Sequence, residues 1–129
     1  MQIHQSAEDY LETILMLTQR MGRVRSIDVV NELGFTKASV SIAMKKLREN
    51  GYIAVDGEGN LTLLEPGREI AERIYSRHRL LTHFFVQLGV DEKTAAEDAC
   101  KAEHILSEQT LEKIRESALQ TDAGQNDPE

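Results

Sequence analysis

The sequence predicts a mainly α-helical protein in which three helices and a β-hairpin are followed by further helices. Two observations support this prediction. Along most of the 129 residues, apolar side chains recur at intervals of three and four positions, the period of a half-buried helix. Residues 52–64 differ, because two short runs of β-prone residues flank a glycine-rich loop. The pattern therefore predicts one small two-stranded element within a helical chain.

Three amphipathic helices are predicted in the first fifty residues. Ser6 is expected to cap the first helix, which runs to about Met21. Ser26 should cap a short second helix that Gly34 ends, and Thr36 should cap a third. The inner residues of the three helices are expected to be Tyr10, Leu11, Ile14, Leu15 and Leu17, then Ile27, Val30 and Leu33, then Val40, Ala43, Met44 and Leu47.

The segment after the third helix has the pattern of a β-hairpin. Residues 52–55 and 61–64 form the β-prone runs, and the loop between them is Asp56-Gly57-Glu58-Gly59-Asn60. Two strands are not stable alone, but directly after a helix-turn-helix they form a wing. We therefore predict a winged helix-turn-helix over residues 1–64.

Three further helices are predicted after the hairpin. A long helix covers residues 66–88, because proline is tolerated in a first turn and Gly89 follows the last apolar position. A fifth helix is expected over residues 91–106 and a sixth over residues 107–118. The polar segment 121–129 is predicted to be a disordered tail.

Charge is unevenly distributed along a chain whose net charge is −7. Residues 20–52 hold seven bases and three acids, a net +4, whereas residues 89–129 hold four bases and eleven acids, a net −7. This asymmetry indicates a basic surface for phosphates and an acidic region that attracts cations or is simply solvated.

The third helix carries a candidate DNA-reading surface. On the side opposite its core, small, hydroxyl, apolar and basic residues have the mixture that suits a major groove. These residues are Ala38, Ser41, Ile42 and Lys45. Flanking residues suited to phosphate contacts are Thr36, Lys37, Ser39 and Lys46. The alternative is an ordinary solvated face of a surface helix.

Residues with metal-binding side chains occur in three places. Cys100, Glu103 and His104 have the spacing i, i+3, i+4, which would place them on one helical face. A thiolate, a carboxylate and an imidazole suit a first-row transition metal. Asp9 and Glu12 lie at i, i+3 on the polar face of the first helix, where acids also favour the helix dipole.

Each of these residues also has a purely structural interpretation. His78 lies within the apolar stripe of the long helix, where a histidine is more often a core residue than a ligand. Cys100 could be a small buried hydrophobe. As the only cysteine, it excludes an internal disulfide. The N-terminus lacks the features of a signal peptide and no segment approaches the ~20 apolar residues of a membrane span, so a cytoplasmic protein is expected.

The chain resembles the diphtheria toxin repressor and manganese transport regulator family. The segments SAEDYLETILML, YSRHRLLTHF and CKAEH follow the order and spacing of that family over about residues 5–118. The resemblance implies a dimeric, metal-activated transcriptional repressor. It divides the chain into a winged-helix DNA-binding domain at residues 1–70 and a helical metal-binding and dimerisation domain at residues 71–120.

The resemblance also implies a ligand set. Its members are Asp9, Glu12, His78, Cys100, Glu103 and His104. Asp9 matches the manganese branch of the family, whereas Cys100 matches the iron branch. Thr82 and Ala96 stand where the iron branch has ligands of an ancillary site, which implies that this site is absent or altered. The expected metal is Fe²⁺ or Mn²⁺, with a preference for Fe²⁺ because of the thiolate, and Zn²⁺, Co²⁺ or Ni²⁺ could bind in vitro.

The resulting function is metal-dependent repression of metal-homeostasis genes. The metal would join the two domains, and so favour the arrangement that matches two DNA half-sites. The expected partners are a double-stranded DNA operator and a second copy of the chain, with no membrane and no small organic ligand. The dimer would use Leu106, Leu111, Ile114 and Ala118. A metal-free winged-helix regulator is the alternative, whereas an enzyme is not expected, since hydrolase motifs and a phosphate loop are missing.

Overall fold

The computed structural model describes the backbone of residues 5–125 and the side chains of residues 5–118. Within this range it contains six α-helices and one two-stranded antiparallel sheet, so the predicted mainly helical fold with a winged helix-turn-helix is confirmed. The elements are α1 Gln5–Met21, α2 Ser26–Leu33, α3 Lys37–Glu49, β1 Ile53–Val55, β2 Leu61–Leu63, α4 Glu65–Gln87, α5 Glu92–Ala102 and α6 Glu108–Gln125. None of these helices is long and apolar enough to cross a membrane.

The chain divides into two compact units, residues 1–73 and residues 74–129, with the boundary inside α4. The core of the first unit contains the complete apolar stripe predicted for α1. Val40, Met44 and Leu47 of α3 are also buried, as predicted, whereas Ala43 is only half-buried. These helices were predictable because a long run of periodic apolar residues leaves one possible inner face.

The second helix departs from the prediction in two respects. Its buried residue is Val29, whereas Ile27 is exposed. Its N-cap is Arg25 rather than Ser26, and the carboxylate of Asp28 accepts the main-chain N–H of Arg25 at 2.9 Å. An eight-residue helix spans only about two turns, so packing against its neighbours decides which face is inside. The predicted Ser6 cap is also wrong, because Ser6 lies inside α1, which the structure describes from Gln5 onwards.

The wing is tied to the helical part of its own unit. Its strands pair in the register Ile53↔Leu63 and Val55↔Leu61. The main-chain N–H of Leu61 donates to the carbonyl of Val24 at 2.7 Å, and Ile53, Leu61 and Leu63 are buried. The hairpin therefore has an inner apolar face, which isolated hairpins lack.

The wing loop is organised by one carboxylate. Asp56 accepts the main-chain N–H of Asn60 and of Glu58 at 2.9 Å each, and the side-chain amide of Asn60 at 3.0 Å. Hydrogen bonds from Asn60, with a smaller contribution from Glu58, hold the pKa of Asp56 below its ordinary value. The loop therefore keeps this negative charge to a lower pH than an ordinary aspartate would.

Gly67, in the first turn of α4, packs directly on the wing. A Cβ atom there would lie 2.2 Å from the carbonyl oxygen of Tyr52, which already accepts the N–H of Leu64. We therefore expect Gly67→Ala to lower the free energy of unfolding by about 1–3 kcal/mol, as overpacked sites generally do. Urea denaturation measures this. Gly57→Ala is the control, because its Cβ would meet no described atom within 4 Å. Equal stabilities of the two variants would contradict this packing.

The second unit has its own small core. Leu81 of α4, Ala99 of α5 and Leu111 of α6 are fully buried, and other apolar residues of the three helices pack around them. The prediction that α5 continues to Leu106 is wrong. The helix ends at Ala102, and the N–H of Ile105 donates to the carbonyl of Ala102, three residues earlier, which is the hydrogen bond of a tighter turn.

The sixth helix is longer than predicted. It begins at Glu108, after Ser107, whose hydroxyl accepts the N–H of Thr110 at 3.1 Å, and it continues to Gln125. Residues 121–125, predicted as part of a disordered tail, are thus helical. Once a helix is nucleated, each further residue adds a hydrogen bond at little cost, so a segment without apolar anchors can extend it. Residues 126–129 of the predicted tail lie outside the described residues.

Candidate metal centre and DNA-facing surface

Glu103 is at the centre of a cluster of metal-binding side chains in the second unit. Each of its two carboxylate oxygens lies near a different histidine. Oε2 lies 3.0 Å from Nδ1 of His78 on α4, and Oε1 lies 3.5 Å from Nε2 of His104. The side chains of Glu103 and His104 are 0% and 1% exposed, whereas His78 remains accessible to solvent at one edge. The structure thus brings together three of the six predicted ligands around a buried acid.

Cys100 joins this cluster from the last turn of α5. One donor atom each from His78, Cys100 and Glu103 lie within 4.8 Å of one another. Glu103 follows the end of the helix as its C-cap, but its backbone stays helical at φ −59° and ψ −23°. For that reason the i, i+3 spacing still places Cys100 and Glu103 together, although the helix ends earlier than predicted. Cys100 is exposed, so the interpretation as a buried hydrophobe is disfavoured.

The residues present fit a bound divalent metal. Glu103 Oε1 is buried and has no hydrogen bond within the part of the chain that the structure describes. A carboxylate in this position is costly unless a positive charge compensates it. The donors offered around it are imidazole nitrogen, thiolate sulfur and carboxylate oxygen, a set suited to first-row transition metals and not to Ca²⁺ or Mg²⁺.

Sequence reasoning missed Arg77. Its Nη1 donates to the main-chain oxygen of Glu103 at 3.1 Å, and its Nη2 contacts the carboxylate of Glu108. The only hint in the sequence is its position beside His78, and neighbouring residues on a helix do not face the same way. The contact between Arg77 and Glu103 therefore could not be predicted from the sequence.

The two predicted acidic ligands of α1 belong to the first unit. Asp9 is partly exposed, but Glu12 is only 4% exposed. The alternative interpretation of Glu12, as a solvated acid that only favours the helix dipole, does not fit this burial. Burial, with a smaller effect of Asp9, raises the pKa of the neighbouring Tyr10 phenol. Buried carboxylates are uncommon without a function or a partner.

All eight residues predicted to face DNA are exposed on or beside α3. Two of them also have a structural task. The hydroxyl of Thr36 accepts the N–H of Ser39 at 3.1 Å and donates to the Ser39 hydroxyl at 2.9 Å, which caps the helix. Ile42 is an exposed large apolar residue, as expected for a side chain that contacts base edges.

A shallow depression beside α3 adds two residues that sequence reasoning did not select. It has a volume of about 260 Å³, and its polar lining residues are Ser41 and Lys45 together with Ser26 and Arg48, beside the apolar Met44 and Val55. Hydroxyl and basic groups around one hollow suit a phosphate. The basic residue could have been found from the charge pattern, whereas Ser26 could not, because the sequence predicted it as a cap.

Comparison with known proteins identifies the class. Residues 2–61 match the family described as iron dependent repressor, N-terminal DNA binding domain, and residues 64–122 match iron dependent repressor, metal binding and dimerisation domain. The chain belongs to this family of metal-dependent transcriptional repressors. The resemblance found in the sequence is thereby confirmed.

Two relatives are similar over most of their length. The chain is 38% identical over 113 residues to an uncharacterized HTH-type transcriptional regulator of Methanocaldococcus jannaschii, covering 86% of this chain and 90% of the relative. It is 34% identical over 109 residues to the HTH-type transcriptional regulator MntR of Bacillus subtilis, covering 84% and 77%.

Solved structures share the fold. A manganese-dependent transcriptional repressor in complex with manganese superposes with a TM-score of 0.79 at 28% identity, covering 87% of this chain and 52% of that one. The manganese regulator SloR superposes with a TM-score of 0.75 at 25% identity, covering 90% and 54%. The chain thus spans about half the length of these two solved structures.

Proposed function

We propose that this protein is a transcriptional repressor that binds operator DNA when it holds Fe²⁺ or Mn²⁺, and that it controls metal-homeostasis genes. The observation that carries the proposal is the convergence of His78, Cys100 and the buried Glu103 in a chain of this family. The chain's membership of a family of transcriptional regulators favours this function over an enzymatic one.

The proposed ligands come from both units. His78, Cys100, Glu103 and His104 belong to the second unit, and we add Asp9 and Glu12 of the first on the strength of the sequence resemblance. A bound divalent ion would supply the positive charge that these acids lack. Because both units provide ligands, metal occupancy and DNA affinity are expected to be linked. The chain's own contribution is to keep Glu103 buried, with His78 in hydrogen-bond contact with one carboxylate oxygen and His104 near the other.

The proposed partners are double-stranded DNA and a second copy of the chain. For DNA, the reading surface is the exposed side of α3. For the dimer, two of the four residues expected from the sequence are unsuitable, since Leu111 and Ala118 are already buried within the subunit. Leu106 and Ile114 remain half-buried, and the neighbouring Ile105 is exposed. The apolar surface for a dimer is therefore offered by the turn after α5 and the outer side of α6.

The experiment that tests the proposal is the metal content of protein purified under reducing conditions. Stoichiometric Fe²⁺ or Mn²⁺ after incubation and removal of excess metal would support a metal-dependent repressor. Protein that binds neither ion, yet still recognises DNA, would support the metal-free winged-helix regulator. Retention of Zn²⁺ alone would not identify the physiological signal, because Zn²⁺ generally binds such sites more tightly than Mn²⁺ or Fe²⁺.

We propose that Cys100 is a ligand and favours Fe²⁺ over Mn²⁺, because thiolates prefer softer ions. Cys100→Ala is therefore expected to weaken Fe²⁺ binding by at least about 10–100-fold, the loss that removal of a residue supporting a ligand already causes. Cys100→Glu should shift the preference towards Mn²⁺, since carboxylate oxygen suits the harder ion. Anaerobic metal titrations measure both changes.

Asp98→Ala, which removes an exposed acid from the same helix, is the matched control for Cys100. It should leave both affinities within about twofold, since a solvated acid outside the cluster contributes little. If both Cys100 variants bind Fe²⁺ and Mn²⁺ like the unmodified protein, Cys100 is not a ligand.

A further inference from the structure

Arg77 is unusually buried for a charged side chain. Only 14% of it is exposed, although it lies on α4 next to His78. Its guanidinium donates to the main-chain oxygen of Glu103 and contacts the carboxylate of Glu108. We infer that Arg77 is a positioning residue of the metal centre, which fixes the main chain of Glu103 while His78 contacts its carboxylate. This inference rests on the proposed function.

The end of α5 explains why Glu103 needs this contact. The last carbonyls of a helix have no partner within the helix, and Glu103 is the C-cap of α5. Its N–H donates to the carbonyl of Ala99 at 2.9 Å, and its own carbonyl accepts Arg77. A guanidinium also suits the negative end of the helix dipole. Both the N–H and the carbonyl of Glu103 are thus hydrogen-bonded. These bonds fix the main chain from which its carboxylate extends.

The second contact of Arg77 extends this effect to the following turn. Glu108 is the first residue of α6, so one guanidinium joins α4 to the end of α5 and to the start of α6. Residues 103–107 between these anchor points include His104. The planar fork of arginine can bind two acceptors at once, whereas the single ammonium of lysine is a compact point charge.

Stability alone does not account for this arrangement. The Glu108 side chain is 79% exposed, and an ion pair with an exposed acid contributes little to folding. What Arg77 adds is order in the segment that carries two of the proposed metal donors. Loss of a contact that supports a metal ligand typically weakens metal affinity by about 10–100-fold.

Titration of the full chain with Co²⁺, followed by its absorption spectrum, tests this role. Arg77→Met is expected to weaken Co²⁺ binding by about 10–100-fold and to change the Co²⁺ spectrum. Arg79→Met is the matched control, because Arg79 is an exposed arginine on the same helix that stacks on Tyr75. It should bind Co²⁺ within about twofold of the unmodified protein, with the same spectrum, since it supports no ligand.

Two further variants should lower the Co²⁺ affinity by smaller amounts. Glu108→Gln removes the charge of one partner and leaves the contact with Glu103, so its loss of affinity should be the smallest. Arg77→Lys should be intermediate, because one ammonium replaces a two-pronged donor. If Arg77→Met does not fold, these two variants decide the matter, and unchanged Co²⁺ affinity in both would overturn the inference.

The outcomes separate this inference from the proposed function. If the unmodified protein binds no Co²⁺, the metal centre itself is refuted. If the unmodified protein binds Co²⁺ and Arg77→Met does so with the same affinity and spectrum, only the role of Arg77 is refuted. A lower melting temperature with unchanged metal binding would make Arg77 a purely structural residue.

Discussion

Replacing Glu103 with glutamine should remove metal binding while leaving the protein folded. The amide has almost the same shape, but it lacks the charge that a divalent ion requires. We expect metal affinity to fall by at least about 100-fold, the upper end of the range for residues that only support a ligand. The melting temperature of the metal-free protein should not fall, because a buried carboxylate is costly and a neutral amide is less so.

Metal titration and thermal unfolding of the same samples measure the two effects. Glu112→Gln is the control, since Glu112 is an exposed acid of α6 that pairs with Arg115 at the surface. A Glu103→Gln protein that binds Mn²⁺ or Fe²⁺ as tightly as the control would exclude Glu103 as a ligand. A large loss of stability without metal would instead show that its charge supports the fold.

The second large effect concerns the recognition surface of α3. Ser41→Ala and Lys45→Ala should each weaken specific DNA binding by about 1–3 kcal/mol, the usual cost of a lost base contact. Both residues are exposed, so neither change should lower stability. Lys45 is 4.0 Å from Glu49, and an exposed pair of this kind does not hold the lysine in place.

Fluorescence anisotropy with a DNA duplex selected from random sequence by the unmodified protein measures this effect. Glu72→Ala, which removes an exposed acid of α4 that pairs with Arg68, is the control and should bind that duplex normally. If both α3 variants bind the duplex as the control does, DNA is not read by this side of α3.

The elements that could be predicted from the sequence are those with long apolar repeats. The stripe of α1 spans several turns, and all five of its predicted residues are buried. The short α2 could not be oriented in this way, because Ile27 and Val29 both suit a helix interior and only packing decides between them. The ends of the helices were also difficult to predict from the sequence. Whether α5 stops at Ala102 depends on a turn that Ile105 closes with its N–H group.

Part of the candidate site could be predicted from the sequence. The spacing of Cys100 and Glu103 predicted their proximity, and the structure places His78 beside them. Two features could not be foreseen. Glu12 looks like a solvated acid in the sequence, although it is buried. Arg77 binds the backbone of Glu103, and a main-chain acceptor leaves no trace in the sequence.

The dependence of DNA affinity on metal tests the central claim most directly. The duplex selected from random sequence is titrated with unmodified protein, first with a chelator and then with Fe²⁺ or Mn²⁺ at fixed ionic strength. Couplings between two ligands are generally about 1–3 kcal/mol, so we expect the metal to tighten binding by roughly 5–150-fold. Glu103→Gln should show no such gain. Equal affinity with chelator and with either metal would contradict a metal-dependent repressor.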